Sequence, residues 1–565
     1  MSAYEQISEQ FKRFILADAD TSMALGDEAH LGSLGEPSLE HMLQRSQQAE
    51  ELLNKLQAIK GETFDEQLDL DLMARHLQQD LFFNQLQQHG RPQRCSQPNG
   101  VNGISAGIFQ LFVNDERCPE LRLNDVLSRL QQAPSYLVTE AKVLAEPIRR
   151  WRDIELEQGE GLPDLFQTIL EWAQQENYPH LDSLKVAITQ CNAALASYLS
   201  DLKNKKTHTN FAIGLDKVNE LLAIRQISHS PAELTEMARD FMGETQILLS
   251  SLKTKLCKKY GLANDTKESD LHEYLNQRFA ATLKDGKLTS VLDYYYKQID
   301  SIHDFVNDKK LFDLPAEQDM KIMQTPGFLE PVIPAGAMWP PLALREGKKT
   351  SLVYLTLKVD QLAEHTELGI PVMMIHEGIP GHHLQFATAA QHPSFIRRIF
   401  SANEHAEGWT TMLEDYMLDI GYIDIGLVDE VRFIAKREMS RLVARVGIDL
   451  YFMTSNKDYL NVGLDLIFDS DDVFVNAATL LKAATGFTDG RVQAELNWYS
   501  TEQGYPLSYL TGNRMVWQLK EDIQKANKKA LDKLALDQTF HEVYLTSGCM
   551  PVESLRSVFM NLGYL

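Results

Sequence analysis

Between Thr325 and Lys349, Pro326, Pro331, Pro334, Pro340 and Pro341 crowd together with Gly327, Gly336 and Gly347. No helix survives that density, because each proline removes a backbone donor and clashes with the turn before it. The stretch interrupts a 565-residue chain whose remaining text is largely helical in period. From Ser38 to about Leu199 apolar residues recur three and four apart, as in Leu39, Met42, Leu43 and then Leu52, Leu53, Leu56, with Gln, Glu and Lys on the other face. A turn-rich passage from Gln93 to Gly107 separates helices within it, and a second helical series runs from about Pro231 to Asp308. Directly after the prolines, Val353, Leu355, Leu357 and Val359 alternate with Tyr354, Thr356 and Lys358. That is the two-residue period of a half-buried strand, placed at 351–359. Helical text then resumes, with loops near Gly421–Gly426, Ser455–Asn461, Phe487–Gly490 and Glu502–Gly512. The expectation is a mostly α protein, too long for one core, with an N-terminal helical region over 1–324. A second region over 325–565 is expected to hold the strand, the reactive helices and the C-terminal helices.

Composition narrows the function classes. Hydrophobic residues at 44% and charged residues at 24% are ordinary for a folded globular chain. Lys and Arg total 55 against 79 Asp and Glu, a formal net charge of -24 that repels phosphate backbones and anionic lipid surfaces. No nucleic acid and no membrane partner is therefore expected. Cys95, Cys118, Cys191, Cys257 and Cys549 are scattered, without a CxxC pair, which suits neither a disulfide framework nor a thiolate zinc site. The opening residues lack a secretory leader pattern. A cytoplasmic location is expected, or a periplasmic one if a leader has been removed.

The densest ionisable cluster follows the strand: His376, Glu377, Gly378, Ile379, Pro380, Gly381, His382, His383. In a plain HExxH helix two imidazoles one turn apart grip zinc while the intervening glutamate serves as general base. Here Pro380 stands inside the spacing. On a straight helix His383 would lie nearly two turns beyond His376, roughly 10 Å along the axis, too far for two ligands of an ion held at about 2 Å. Pro380-Gly381 gives a reason for the helix to distort, so the segment reads as HExxH with Pro-Gly inserted. His376 and His382 are the expected metal ligands, with His383 as the fallback.

A catalytic zinc ion commonly takes its third ligand from a carboxylate on a following helix. Glu407, 25 residues after His382, is the choice, and Glu404, one turn earlier, is the expected partner that orients an imidazole. Glu414 reads as part of a solvated helix face. Asp469, Asp471 and Asp472 lack the EF-hand pattern and read as helix-start acids.

His-Glu-x-x-Pro-Gly-His-His-Leu-Gln (His376–Gln385), followed by Glu-Gly-Trp (Glu407–Trp409), resembles the bacterial family catalogued as domain of unknown function 885. The resemblance extends over much of the chain. It implies kinship with HExxH-type zinc metallopeptidases and a large helical metallopeptidase-like fold, with the short strand near the active-site helix and a cleft between two helical halves. Arg445-Val446-Gly447-Ile448-Asp449 resembles the family's Arg-x-x-x-Asp segment, but the histidine usually found four positions later is Met453. Gly504–Gly512 resembles its Gly-Gln-Ala-Leu-Ser-Tyr-Lys-x-Gly segment, with Tyr505 in place of Gln and Leu510 in place of Lys. Substrate preference is therefore expected to differ from that of typical members.

These readings describe a zinc-dependent hydrolase with one zinc ion, which lowers the pKa of water, and with Glu377 as general base. The expected substrate is a short peptide or small amide, cleaved as by an exopeptidase or oligopeptidase. Tyr509 is the candidate donor to the developing oxyanion; His383, if not a ligand, is placed either beside that oxyanion or against Glu407. The strand at 351–359 is expected to offer an edge to an extended peptide, and Arg514 is a further candidate for a terminal carboxylate. Two alternatives stand beside this reading: a zinc hydrolase of another amide or ester, and a non-catalytic binding protein on a peptidase-like fold. The intact Glu377 speaks against the second.

Overall fold

The computed structural model describes residues 2–325, 333, 336–359, 362 and 365–565; Pro326, Gly327, Pro331 and Pro334 lie outside them. It is mostly helical with small sheets. One compact unit is formed by residues 2–213 with 344–346, and a second by 214–325, 333, 336–343 and the described residues from 347 to the end. The parting at Ile213–Gly214 comes well before the change of texture at 325, because the helices over 215–309 pack with the C-terminal ones.

The first unit holds α1 (Ala3–Leu16), α2 (Ala19–Leu25), α3 (Leu39–Gln57), α4 (Phe64–Gln85), α5 (Gly100–Val113), α6 (Pro119–Val143), α7 (Arg149–Gln175) and α8 (Leu181–Asn204). A two-residue ladder, β1 (Gln87–Gln88) with β2 (Arg91–Pro92), precedes α5. The turn passage thus ends at Asn99 rather than at Gly107. Gly100, Gly103 and Gly107 lie inside α5 because a Cβ on them would stand 2.6, 2.0 and 2.2 Å from Tyr198, Tyr136 and Arg129. They serve close packing there, not a turn.

Asn99 makes no side-chain cap at the start of α5. Buried carboxylates do that work instead: Asn99 N donates to Glu140 Oε1 at 2.9 Å and Val101 N to Glu155 Oε1 at 2.8 Å, with Tyr198 Oη donating to the same Glu155 oxygen at 2.9 Å.

The second unit begins with α9 (Leu215–Ile224), α10 (Pro231–Tyr260), α11 (Glu268–Arg278) and α12 (Leu292–Lys309). Ser230 and Glu233 close a capping box around Pro231, which fixes where α10 starts. A three-stranded sheet follows, ordered β3 (Gln318–Gln324), β5 (Lys349–Leu355), β4 (Gly336–Trp339). β3 runs parallel to β5 with Gln318 opposite Lys349, and β4 antiparallel with Gly336 opposite Leu355. The expected strand is present but ends at Leu355, and all seven of its residues are buried. It is the central strand, paired with β3 along its whole length and with β4 over Leu352–Leu355, so over those four residues it has no edge to offer a peptide, contrary to expectation. β4 lies within the proline stretch and β3 before it, and neither left a mark on the period of β5.

The remaining helices are α13 (Gly369–Glu377), α14 (His382–Ala389), α15 (Phe395–Ile399), α16 (Asn403–Asp419), α17 (Val428–Thr454), α18 (Val473–Thr485), α19 (Asp489–Thr501), α20 (Ser508–Ala526), α21 (Lys533–Thr546) and α22 (Val552–Asn561). Asp472 caps α18 through the N–H of Phe474, as a helix-start acid should. The loop expected to run to Gly512 ends at Leu507, where α20 is about to begin. No described helix is long and apolar enough to cross a membrane, and all five cysteines are free.

Burial raises the Glu155 carboxyl from its usual 4.5 to about 7, the hydrogen bonds from Val101 and Tyr198 pulling the other way. Between those values the folded chain keeps a proton that the unfolded chain has released, so Glu155 subtracts stability as pH rises through the window. Glu155→Gln is expected to flatten the fall in unfolding free energy between pH 4.5 and 7, by up to about 3 kcal/mol. Urea unfolding across that range measures it.

Candidate metal centre

Helix α13 stops at Glu377 and the chain restarts as α14 at His382, so the Pro-Gly insertion is a turn between two helices rather than a bulge in one. Gly381 makes the return possible. A Cβ there would stand 2.0 Å from His376 O and 2.2 Å from Ile375 O, so no other residue fits under the last turn of α13. Trp409 of α16, fully buried, donates its indole N–H to Pro380 O at 2.9 Å and pins the turn in place.

The turn brings the His376 and His382 rings to 5.0 Å between centroids, nearly perpendicular. Glu407 on α16 completes the set: its Oε2 lies 3.5 Å from His376 Nε2 and 3.4 Å from His382 Nε2. One donor atom from each of the three falls within 4.8 Å of the others, the metal-capable grouping found among the described residues. Three ligands at about 2.0–2.2 Å from one tetrahedral zinc ion stand roughly 3.3–3.5 Å apart, which the two histidine–glutamate separations match. Glu407 Oε2 is buried with no hydrogen-bond partner among the described residues, an orphaned acceptor that a cation between the imidazoles would satisfy.

The electrostatics favour positive charge at this point. Burial by itself would raise the Glu407 carboxyl, but the charges of His382 and His376, whose Nε2 atoms face it at 3.4 and 3.5 Å, outweigh it and hold the group well below the usual carboxylate range. For His376 burial acts against the charged form, yet the nearby Glu407 carboxylate, the hydrogen bond to Glu414 and the charge of Glu377 raise it to about 10.

His376 Nδ1 lies 2.7 Å from Glu414 Oε1, which leaves Nε2 to face Glu407. A carboxylate behind a metal-binding imidazole fixes its tautomer and orientation. Glu414, read from the sequence as solvated, therefore takes the role expected of Glu404. The spacing could have revealed it, since Glu407 and Glu414 are seven residues apart and share one helix face. Glu404 instead forms a buried ion pair with Arg225, whose Nε lies 3.3 Å from Glu404 Oε2.

His383 lies outside this grouping. Its Nδ1 lies 2.7 Å from Ser351 Oγ and its Nε2 is hydrogen-bonded to Gln318 Oε1, so both ring nitrogens tie α14 to β5 and β3. It neither serves as the fallback ligand nor holds Glu407. Arg514 pairs with Glu244 through Nη2 and lies 4.7 Å over the Phe241 ring, which joins α20 to α10.

Glu377 stands partly exposed at the end of α13. Its charge acts on both His376 and Tyr509. The Tyr509 phenol is held well above its usual pKa, by burial first and then by the charge of Glu407, and so keeps its proton. Arg445 lies 4.2 Å over the Tyr509 ring and is anchored by Tyr499 Oη at 2.9 Å and Glu495 Oε2 at 3.2 Å. One turn further along α17, Asp449 accepts the N–H groups of Gly504 and Leu507 at 2.9 and 3.0 Å. The two partially matching segments are thus one construction, in which α17 holds the loop before α20. Tyr505, on that loop, was not among the expected site residues; its hydroxyl donates to Glu407 Oε1 at 2.6 Å.

Helices α16 and α20 bring Glu407 and Tyr509 together through a glycine contact. A Cβ on Gly408 would stand 2.4 Å from Gly512 O, and one on Gly512 2.2 Å from Glu404 O. Gly512→Ala is expected to lower stability by about 1–3 kcal/mol through overpacking. Gly490→Ala, in α19 with nothing within 4 Å of its Cβ, should be neutral or slightly stabilising. Equal effects in chemical denaturation would contradict the close contact.

Two solved structures share this fold. A candidate lipoprotein of unknown function from Shewanella oneidensis superposes with a TM-score of 0.75 at 18% identity, covering 99% of this chain and 100% of its own. A candidate lipoprotein from Colwellia psychrerythraea gives 0.74 at 16%, covering 99% of each. At that identity the likeness extends to the fold alone. No curated protein matches the chain significantly. The model of the family described as bacterial proteins of unknown function, DUF885, matches residues 20–558, nearly the whole length, and the chain belongs to that family.

Proposed function

We propose that this protein is a zinc-dependent hydrolase, a metallopeptidase acting on short peptides. The observation that carries the proposal is the convergence of His376, His382 and an orphaned Glu407 oxygen on one point, with Glu377 beside it. The three side chains are only 15%, 9% and 3% exposed, so a substrate must reach them as a slender chain, which favours short peptides and exposed ends.

His376, His382 and Glu407 would hold the ion, with Glu414 fixing the first imidazole. Zinc, when bound there, supplies positive charge at an open position that polarises water and a substrate carbonyl. Glu377 takes a proton from the attacking water as the water oxygen bonds to the carbonyl carbon. The same carboxyl then delivers that proton to the amide nitrogen as the carbon–nitrogen bond breaks. Tyr509, kept protonated, donates to the carbonyl oxygen as it gains negative charge.

Metal analysis of purified protein, beside hydrolysis of a mixed peptide pool, tests the assignment. Wild type is expected to contain about one zinc per chain; His376→Ala should lose it. Glu377→Gln should keep the metal and lose activity by about 10²–10⁴-fold. Absence of any divalent metal after zinc is supplied would remove the hydrolytic reading in favour of a binding protein. Hydrolysis of esters or other amides but not peptides would redirect it to the alternative hydrolase.

Location is a separate question. The scattered free cysteines suit a reducing cytoplasm, while the lipoprotein description of both structural relatives favours the periplasmic alternative. Cell fractionation with a labelled full-length protein is expected to place it in one or the other.

A further inference from the structure

The phenol of Tyr505 reaches the proposed metal ligand Glu407. The two oxygens of Glu407 have different surroundings. Oε1 accepts the Tyr505 hydroxyl at 2.6 Å; Oε2 faces both imidazoles at 3.4 and 3.5 Å and has no hydrogen-bond partner among the described residues. A carboxylate free at both oxygens can bind a cation through one or through two. A donor fixed on one oxygen removes the second mode, because that oxygen would have to surrender a charge-assisted hydrogen bond to reach the ion.

Tyr505 is well placed to be such a fixed donor. Its loop is held on both sides, by Asp449 accepting from Gly504 N and Leu507 N and by Arg225 Nη1 donating to Gly504 O. Gly504 adopts a left-handed φ of 84°, and a Cβ there would stand 2.7 Å from Leu221, so the bend before Tyr505 is specific to glycine. The Tyr505 ring is flanked by Trp498 and Tyr509, at 5.4 and 5.8 Å between centroids.

We infer that Tyr505 is a positioning residue of the metal centre: by donating to Glu407 Oε1 it makes Glu407 a one-oxygen ligand through Oε2 and keeps the neighbouring coordination position open for water and substrate. The inference rests on the zinc reading, yet its test separates the two. Metal-free wild type, Tyr505→Phe and His376→Ala, all full length, are titrated with Zn²⁺ by calorimetry and with Co²⁺ while the visible absorption is recorded.

Wild type is expected to bind about one ion and His376→Ala none. Tyr505→Phe, which loses only the hydroxyl, should bind zinc about 10–100-fold more weakly. Its cobalt bands should also fall in intensity, as Glu407 swings both oxygens onto the ion and coordination rises from four to five. A phenol with a merely structural role changes affinity but not the ligand set. An unchanged cobalt spectrum in Tyr505→Phe therefore overturns the inference, with or without a loss of affinity, and leaves the zinc reading standing. Failure of wild type to bind either ion overturns the zinc reading itself, and the role of Tyr505 falls with it.

Discussion

The close approach of α16 and α20 at Gly408 and Gly512 is the constraint on which the centre depends. Helix α16 presents Glu404, Glu407 and Glu414, and α20 with its preceding loop presents Tyr505 and Tyr509. With backbone this near to a would-be Cβ, side-chain bulk cannot set the separation. The phenols reach the Glu407 side of the site only because the two backbones nearly touch. Trp409, next to Gly408, carries the same register across to the inserted turn through Pro380. Helix α16 therefore carries Glu407 itself and holds the turn through Trp409 and His376 through Glu414.

Much of the buried charge around the centre serves to hold that geometry. Arg225 and Glu404 neutralise each other while Arg225 also ties down the carbonyl of Gly504. Asp449 accepts two backbone donors from the same loop, and Arg445 is paired with Glu495 under the Tyr509 ring. Buried charges of this kind are tolerated when each finds a partner. Glu407 stands apart, since one of its oxygens is partnered only by imidazoles that a proton or a cation must bridge. Met453 and Leu510 are fully buried and pack in the core.

Local pattern was readable where it reports local physics. The helical series, the start of α10 and the acids before α18 follow from period and capping chemistry, and the alternation after the prolines is a strand. Glycines were ambiguous, because the same residue permits a turn or a close contact: Gly100, Gly103 and Gly107 do the second inside α5. The loop before α20 was overextended for the same reason, since Gly512 faces α16. Nor could the strand's central position be inferred, because parallel pairing with β3 is a long-range event.

Within the site, the sequence determined the chemistry on offer: His376, Glu377, His382 and Glu407 as a grouping, and a Pro-Gly insertion that forbids a straight helix between the imidazoles. Those conclusions follow from ligand types and from the fixed rise and period of a helix, which are local. The tertiary structure alone decided which neighbours complete the grouping. His383 goes to Ser351 and Gln318, Glu404 to Arg225, Glu414 to His376, and Tyr505 to Glu407. Each choice depends on which side chain another helix or strand brings within about 3 Å, and that is set by packing between elements far apart in the chain.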